Sequence, residues 1–261
     1  MSSGPNIAEV TRLLKQLVAA LPADPRAMGD VPGPKTKRLR RELQELTGRL
    51  NLLAQGLDPI RQPDFVFDPS NPEIVGRLIG RTLEEQPRHP LDGLPKFYGS
   101  GVYAIYYAGS FPAYRPIKER QTPIYVGKAD PPTPDAKAAV DQGPKLCARL
   151  AEHAKSIRAA KTTLDIGDFN CRYLVVQSGW QRSAEDYLIH QFQPVWNQPL
   201  CYGFGKHGDD PRTRGNTRSP WDTLHPGRGW ATREGNKPNP LSADQLVSLI
   251  TEHYRRHPPR I

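Results

Sequence analysis

The sequence of 261 residues lacks the features expected of a membrane protein or a secreted one. No uninterrupted apolar run approaches the roughly 18 residues that make a membrane span a candidate. Arg12 and Lys15 interrupt the apolar positions near the N-terminus, so we expect no signal peptide. The cysteines, Cys147, Cys171 and Cys201, are odd in number and have no C-x-x-C spacing, which argues against a disulfide framework and a zinc site. These absences predict a cytoplasmic protein.

The charge balance gives the first positive indication of function. The chain has 36 Lys and Arg against 27 Asp and Glu, a net charge of +9. Such a balance favours a polyanionic partner, most commonly nucleic acid. Residues 201–240 mix basic side chains with tyrosine, phenylalanine and tryptophan in a stretch rich in glycine and proline. Disordered segments are depleted in large aromatics, so we predict an ordered, irregular, basic surface at this end of the chain.

The N-terminal region, residues 1–95, is predicted to be helical. Residues 6–21 carry apolar side chains on one helical face, and the leucines of residues 39–53 follow in steps of four and three. Together they indicate a helical hairpin, which is either a subdomain packed on its own chain or an oligomerisation element. Two heptads are too few to decide between these alternatives. A third helix is predicted behind Asn71 and Pro72, a cap followed by a proline in the first turn.

Residues 96–200 are predicted to form a small α+β domain. Residues 101–107, 123–127 and 169–176 are rich in β-branched and aromatic side chains, which is typical of strands. Apolar stripes predict helices over residues 144–159 and from the cap Ser183 to Phe192. The expected fold is a three-stranded antiparallel sheet flanked by helices, with the helical region before it. Residues 201–261 would follow as an irregular basic arm that contacts DNA.

An ordered set of residues in this domain resembles the GIY-YIG nucleases. Gly101-Val102-Tyr103 and Tyr125-Val126-Gly127 lie on the first two strands, with valine where the family has isoleucine. Arg149 and His153 follow on one helix, Glu185 on the next, and Asn197 just beyond it. Residues 218–228, R-S-P-W-D-T-L-H-P-G-R, are similar to the C-terminal region of a restriction-endonuclease subgroup that reads CCGCGG. The resemblance implies a type II restriction endonuclease that cleaves double-stranded DNA with Mg²⁺.

The resemblance assigns a role to each of these side chains. Arg149 would hold the scissile phosphate and stabilise its growing negative charge. His153, four residues later on the same helix face, would hydrogen-bond the tyrosine or the water at the attack site. Tyr103 would orient or deprotonate that water, which requires a pKa depressed by nearby cations, and Tyr125 would hydrogen-bond the water or the phosphate. Taken singly, such an Arg/His pair is more often an exposed pair, and tyrosine is common in strands.

Glu185 and Asn197 complete the predicted active site. Glu185 would be the sole protein carboxylate at Mg²⁺, with water and phosphate oxygens as the other ligands. Its neighbour Asp186 competes for this assignment, and a glutamate in a first helical turn is favoured by the helix dipole whatever its function. Asn197 would tie the end of its segment to the active site, or would be a turn residue.

The expected DNA contacts lie in the hairpin loop, residues 109–122, and in the C-terminal region. A site made only of G·C pairs is read by Arg or Lys on guanine and by Asp or Glu on cytosine. The candidates are Arg115, Lys118, Arg120, Lys128, Arg212, Arg214, Arg218, Asp222 and Arg228. At least half of such hydrogen bonds go to phosphate and sugar, so we expect only some of these residues to read bases. We expect Trp221 and Trp230 to pack the segment and not to stack on bases.

Two other functions compete with the restriction enzyme. A structure-specific repair or homing nuclease would need a different accessory region from the one at residues 218–228. A DNA-binding regulator without catalysis would not need every catalytic position filled. For the leading function, the two-fold symmetry of a palindrome predicts a homodimer on DNA, which the N-terminal hairpin would extend to a homotetramer.

Overall fold

The computed structural model describes residues 6–22, 24, 34–57, 60, 68–177, 179–205, 217–233 and 235–260. The chain divides into two compact units, residues 1–67 and 68–261. The predicted boundaries at 95 and 200 do not coincide with this division. The described helices include none that is both long and apolar enough to cross a membrane.

The first unit contains the two predicted N-terminal helices. Helix α1 spans Ile7–Ala20 and begins at Asn6, whose side chain accepts a hydrogen bond from the backbone N–H of Ala8. Helix α2 spans Pro34–Leu57. No residue of α1 is buried, and most of its large apolar side chains, among them Ile7 and Val18, are exposed. The predicted pairing of the two helices as a hairpin stays a prediction.

The second unit combines helices with one sheet. Its elements are α3 (Pro72–Glu85), β1 (His89–Pro90), β2 (Gly101–Tyr107), β3 (Tyr125–Ala129), α4 (Ala139–Gln142), α5 (Lys145–Ala159), β4 (Phe169–Val175), α6 (Gln181–Phe192), α7 (Pro220–Leu224) and α8 (Ala243–Arg256). The predicted third helix is present, and the Asn71 side chain caps it by accepting from the backbone N–H of Glu73. The fold is therefore α+β, as predicted.

The sheet is antiparallel, with strand order β1-β4-β2-β3. The three predicted strands are present, but the expectation of three was incomplete because β1 adds a fourth at the β4 edge. A strand of two residues is too short to show any periodicity, which is why the sequence did not predict it. Strand β2 is central and every one of its residues is buried, since it has a strand on each side and a packed layer on each face.

The two faces of β2 belong to two hydrophobic cores. Tyr103 and Ile105 point to a large core that includes the apolar side of α5. Val102 and Ala104 point to a smaller core under α3 and α6. Because successive side chains on a strand alternate between faces, one strand connects both layers. This arrangement places α5 and α6 on opposite faces of the same sheet, close to the end where β2 begins.

Helix α6 begins three residues earlier than predicted. It starts at Gln181 with Trp180 as its N-cap, and no side chain caps it. Ser183 therefore lies inside the helix, and Glu185 lies in the second turn and not in the first. The helix dipole therefore does not explain a glutamate at this position, because its stabilising effect on carboxylates is confined to the first turn.

The described part of the C-terminal region, residues 201–205, 217–233 and 235–260, is packed against the rest of the unit and does not form an arm. Phe204, Trp221 and the helix α8 residues Leu246 and Ile250 are part of the large core. Trp221 is fully buried, as its predicted packing role requires. Four large aromatics in an irregular segment correctly indicated order, but composition could not show that the apolar side chains would pack onto the catalytic domain.

Buried polar contacts attach this region to the rest of the unit. His225, just after α7, lies with its Nε2 2.6 Å from the hydroxyl of Tyr114 and its Nδ1 2.9 Å from the hydroxyl of Thr163. The indole N–H of Trp196 donates to the same Tyr114 hydroxyl at 2.9 Å. In α8, the Nε2 of His253 lies 2.8 Å from the carbonyl oxygen of Gln193, at the end of α6. Residues 217–233 are thus joined to the hairpin loop, and α8 is joined to the end of α6.

Candidate active site

A cavity of about 560 Å³ opens where β2, β3, α5 and α6 meet. It is lined by Tyr103, Tyr125, Lys128, Ala129, Asp130, Lys145, Ala148, Arg149, Glu152 and Glu185. Four of the six predicted catalytic residues and the predicted phosphate contact Lys128 therefore share one cavity. His153 and Asn197 lie behind its wall and contact residues that line it or the strand that carries them.

The two tyrosines come from neighbouring strands, and the sheet register explains their positions. Tyr103 on β2 lies opposite Gly127 on β3. A Cβ atom on Gly127 would overlap the Tyr103 hydroxyl, so only glycine lets this side chain cross the neighbouring strand. The ring centroids of Tyr103 and Tyr125 are 6.2 Å apart. The register of the hairpin therefore explains why the two tripeptides combine glycine with tyrosine: the glycine leaves the space that the tyrosine side chain occupies.

Tyr103 and His153 form a buried hydrogen-bonded pair. The Tyr103 hydroxyl is 2.6 Å from the Nε2 of His153. The imidazole is stacked on the ring of Phe204, with centroids 4.7 Å apart. The helix face that was expected to be either solvated or catalytic thus points into the protein at His153, where the ring has a fixed orientation.

The expected pKa of Tyr103 was wrong. Burial, with a further contribution from Tyr125, raises the pKa of Tyr103 well above its ordinary value, and Arg149 opposes this rise without cancelling it. Burial likewise raises the pKa of Tyr125 to about 12. Neither tyrosine is a tyrosinate at neutral pH in this environment, because the low-dielectric surroundings favour the neutral phenol.

Arg149 is anchored by groups on both sides of its guanidinium. Its Nη1 donates to the Glu152 carboxylate at 2.8 Å, and its Nη2 donates to the carbonyl oxygen of Gly205 at 2.7 Å. It also hydrogen-bonds the Tyr103 side chain. Glu152 could have been found from its spacing of three residues on the helix. Gly205 could not, because nothing in its local sequence indicates that its carbonyl accepts a hydrogen bond from Arg149.

Glu185 has an unusual environment for a glutamate. Burial raises the pKa of its carboxyl to about 7; Lys128 opposes the rise, and the carboxylates of Asp186 and Asp130 add to it. The Glu185 carboxylate also accepts a hydrogen bond from the backbone N–H of Lys128. Asp130, which sequence reasoning missed, lines the same cavity and forms an ion pair with Lys128. Asp186 is largely exposed on α6 and does not line the cavity.

These donors fit a hydrated divalent cation. Among the described residues, no group of three or more His, Cys, Asp or Glu side chains could hold a metal ion. Mg²⁺ does not need such a group, because it keeps several water ligands and is bound through one or two carboxylates plus phosphate oxygens. A divalent cation would also relieve the cost of ionising the half-buried Glu185. The carboxylates that could hold it are Glu185 and, next to it, Asp130.

Asn197 clamps the strand that carries Tyr125. Its Oδ1 accepts from the backbone N–H of Val126 at 2.9 Å, and its Nδ2 donates to the Val126 carbonyl at 2.8 Å. The side chain therefore takes the place of a neighbouring strand at this edge of β3. Of the two alternatives for Asn197, the structure favours a tie to the active site over a simple turn.

The predicted DNA-binding cations fall into different environments. Arg115, Lys118 and Arg120 are exposed on the hairpin loop. Arg218 is half-buried, and its Nε donates to the Ala231 carbonyl at 3.3 Å. Arg212 and Arg214 lie outside the described residues. The exposed loop and Lys128 in the cavity remain available for phosphate.

Asp222 and Arg228 are not at the surface, and this corrects the expectation that they contact bases. Asp222 is completely buried and Arg228 is only 6% exposed. The two form an ion pair, with the Arg228 Nε 2.6 Å from Asp222 Oδ1 and Nη2 2.8 Å from Oδ2. The sequence predicts that both residues contact DNA because their types and their motif suit base contact. A sequence pattern does not report burial, so it could not exclude the buried ion pair.

Comparison with known families agrees with this geometry. Residues 95–254, more than half of the chain, match the family model described as the Eco29kI GIY-YIG domain. The matched range contains every residue that lines the cavity. It also extends through the C-terminal region as far as Tyr254 in α8. No curated protein matches the chain.

Proposed function

The chain belongs to the Eco29kI GIY-YIG family of restriction endonucleases, and from this premise we propose that it is a Mg²⁺-dependent type II enzyme that cleaves both strands of DNA at CCGCGG. The observation that carries the proposal is the cavity itself. It brings together Arg149, the carboxylate of Glu185 and two neutral tyrosines. These are the groups that metal-assisted hydrolysis of a phosphodiester needs.

Arg149 is the group that stabilises the phosphate. Its guanidinium is held by Glu152 and by the Gly205 carbonyl before DNA arrives, so little reorganisation is needed when negative charge grows on the phosphate oxygens. Lys128 faces the same cavity and supplies a second positive charge. A fixed cation close to the reacting group is the arrangement that favours the transition state over the ground state.

Glu185 holds the metal in this proposal, with Asp130 nearby. A divalent cation bound there would stabilise the negative charge that develops on the phosphate and would make water easier to deprotonate. Ionised Glu185 is required for this, so its pKa of about 7 lies where the affinity for the metal responds to ordinary changes of pH.

Tyr103 and His153 move the proton. Because Tyr103 stays neutral, its hydroxyl accepts a proton from the attacking water as it gives its own proton to the Nε2 of His153, 2.6 Å away. The water oxygen bonds to phosphorus, and the bond from phosphorus to the leaving sugar oxygen breaks. The leaving oxygen keeps the bonding electron pair and takes a proton from solvent. The net proton acceptor is the imidazole of His153, which acts as the general base.

Cleavage of both strands requires two copies of the cavity, one for each scissile phosphate. A homodimer on a palindromic site supplies them through its two-fold symmetry. The exposed apolar face of α1, where Ile7 is 76% and Val18 69% exposed, supports a further association into a tetramer. Replacing both with Gln in the full chain should lower the mass measured by light scattering if α1 associates; an unchanged mass argues against it.

A plasmid assay tests the function. One plasmid carries a single CCGCGG site, and the matched control differs by one G·C to A·T change in that site. The expected result is linear product from the first plasmid only, with Mg²⁺ and not with EDTA. Cutting at branched structures alone would indicate a repair nuclease, and binding without cutting would indicate a regulator. Cleavage of both plasmids at another discrete sequence would keep the type II enzyme and reject CCGCGG.

A further inference from the structure

Arg228 lies in a buried site that its Asp222 partner only partly explains. Besides the ion pair, its Nη1 donates to the carbonyl of Phe204 at 3.1 Å and its Nη2 to the carbonyl of Gly203 at 2.9 Å. Its guanidinium lies 4.4 Å from the ring of Trp221. Every nitrogen of this guanidinium has a partner within the chain. Lysine, with one charged nitrogen, could not reproduce this set.

The carbonyls that Arg228 holds belong to a turn that contacts Arg149, a residue lining the cavity. The next carbonyl of the same turn, that of Gly205, accepts the hydrogen bond from Arg149 at 2.7 Å. Three consecutive carbonyls, of Gly203, Phe204 and Gly205, are therefore shared between two arginines. Arg228 binds the first two from one side, and Arg149 binds the third.

The same turn also packs against the other catalytic side chains. The Phe204 ring stacks on His153 and lies edge-on to Tyr125, with the Phe204 and Tyr125 centroids 5.1 Å apart. Gly205 approaches Tyr125 so closely that a Cβ atom would overlap its hydroxyl. Any displacement of residues 203–205 would thus also displace Arg149, His153 and Tyr125.

We propose that the Asp222–Arg228 pair is a positioning device for the active site: it fixes the turn at residues 203–205, and the turn fixes the guanidinium of Arg149. The proposal rests on the proposed function, because it takes Arg149 to be the phosphate-binding cation. It gives residues 218–228 a role different from base reading.

The cost of burying these charges supports a positioning role. A buried ion pair is seldom a net gain in stability over an apolar pair of the same volume, because desolvation of both charges offsets their attraction. What the pair supplies is geometry: a planar guanidinium binds a carboxylate and two carbonyls in one fixed orientation. A displacement of a catalytic group by about 1 Å lowers the rate about 100-fold. Accurate placement of this turn should therefore raise the rate of cleavage.

The test uses the full-length protein with Arg228→Lys, and Asp222→Asn as a second variant of nearly unchanged shape. Single-turnover cleavage is measured with enzyme in excess and Mg²⁺, below the melting temperature of each variant, and DNA binding is measured in EDTA. We expect Arg228→Lys to lower the single-turnover rate about 100-fold and to change the dissociation constants for CCGCGG and for altered sites less than about threefold. Asp222→Asn should show the same split between rate and binding with a smaller loss.

Two matched controls separate positioning from stability. Arg256→Lys makes the same exchange in an exposed ion pair on α8 and should leave rate and binding unchanged. Tyr114→Phe removes buried hydrogen bonds to His225 and Trp196 without touching the turn, so it should lower the melting temperature and leave the single-turnover rate within about threefold. Should Arg228→Lys fail to fold, Asp222→Asn carries the comparison.

Several results would overturn the inference. An unchanged rate at saturation with weaker or less selective binding would make Arg228 a base reader after all. A rate loss no larger than that of Tyr114→Phe at equal loss of melting temperature would make the pair merely structural. A double variant with Arg149→Lys should lose no more than the worse single variant; independent, multiplying losses would reject a path through Arg149. If Arg149→Lys alone cleaved at the normal rate, the proposed function of Arg149 would fail instead.

Discussion

The cavity and the hairpin loop both offer positive charge to DNA, but they hold it differently. In the cavity, Arg149 is bound by Glu152 and by the Gly205 carbonyl. On the loop, Arg115, Lys118 and Arg120 are exposed at the surface. Fixed charge serves the chemical step, which requires accurate geometry, whereas surface charge on long side chains serves attraction to phosphate. Changes in the cavity should therefore alter rate and metal affinity, and changes on the loop should alter binding and its dependence on salt.

The largest effect is expected for Glu185→Gln, which preserves shape and removes the charge. If Glu185 holds the metal, cleavage should fall about 1,000-fold or more, because the metal contributes several kcal/mol to the transition state. Binding in EDTA should change little. Asp186→Asn is the matched control: the next residue, a carboxylate largely exposed on the same helix, should be neutral. Normal cleavage by Glu185→Gln, or equal losses in both variants, would remove the metal assignment.

A pH dependence of metal binding should follow from the same residue. With a folded pKa of about 7, Glu185 is largely protonated below that pH. The Mg²⁺ concentration for half-maximal cleavage should therefore rise about tenfold for each pH unit below 7 and level off above it.

Stability provides an independent measurement of that carboxyl. The unfolded pKa is lower than the folded one, so the folded protein binds more protons between about pH 4.5 and 7, and this group makes stability fall as pH rises through that window. Mg²⁺ should raise the melting temperature more at pH 8 than at pH 6. The difference should vanish in Glu185→Gln; a rise that is the same at both pH values would contradict the pKa of about 7.

Removing the loop charges should have a moderate effect of a different kind. Replacing Arg115, Lys118 and Arg120 with Gln should weaken binding to all DNA and reduce the slope of log affinity against log salt by roughly one for each phosphate that is no longer neutralised. The single-turnover rate at saturation should not change. Arg255 and Arg256 on α8, changed together, are the control for net charge alone. A slower rate at saturation would place the loop in the chemistry.

The smallest effect is expected at His225, away from the cavity. Burial lowers the pKa of His225 to about 3, and the nearby Arg228 charge acts in the same direction. The unfolded chain binds this proton more readily, so the residue makes stability fall as pH drops from about 6.5 towards 3. His225→Gln should lower stability at pH 7 by about 1–3 kcal/mol, because buried hydrogen bonds are removed, and flatten the acid dependence in urea unfolding. His190, exposed on α6, is the control; an equally steep acid dependence in His225→Gln would reject the assignment.

Much of the catalytic domain was predictable because its signals are local. The strands β2 and β4 and the helices α3 and α5 follow from short patterns of apolar and β-branched residues, and the structure places them within a few residues of the prediction. The four predicted catalytic residues of the cavity could be chosen because they match the positions of the GIY-YIG motif. The start of α6 was harder to predict, because Trp180 makes no side-chain cap that the sequence would indicate.

The pKa of Tyr103 and the location of Asp222 and Arg228 depend on burial, which local sequence does not report. Cations near Tyr103 in the sequence pattern suggested a lowered pKa, but desolvation outweighs Arg149. Similarly, an aspartate and an arginine six residues apart fit equally well on a DNA-facing surface and in a buried ion pair. Which of the two environments they occupy is determined by the surrounding apolar residues, such as Trp221, which pack this segment into the large core.

By itself, the sequence determined the α+β class, the order of the catalytic elements and the residue types that meet at the cavity, because periodicity, turn residues and motif spacing act over a few positions. Only the tertiary structure decided which charges face solvent. Packing of Phe204, Trp221 and α8 into the large core removed Arg228 from the surface and brought the Gly205 carbonyl to Arg149. These are contacts between segments 24 or more residues apart. Such contacts depend on the whole core, since each buried charge must find its partners where the surrounding side chains place them.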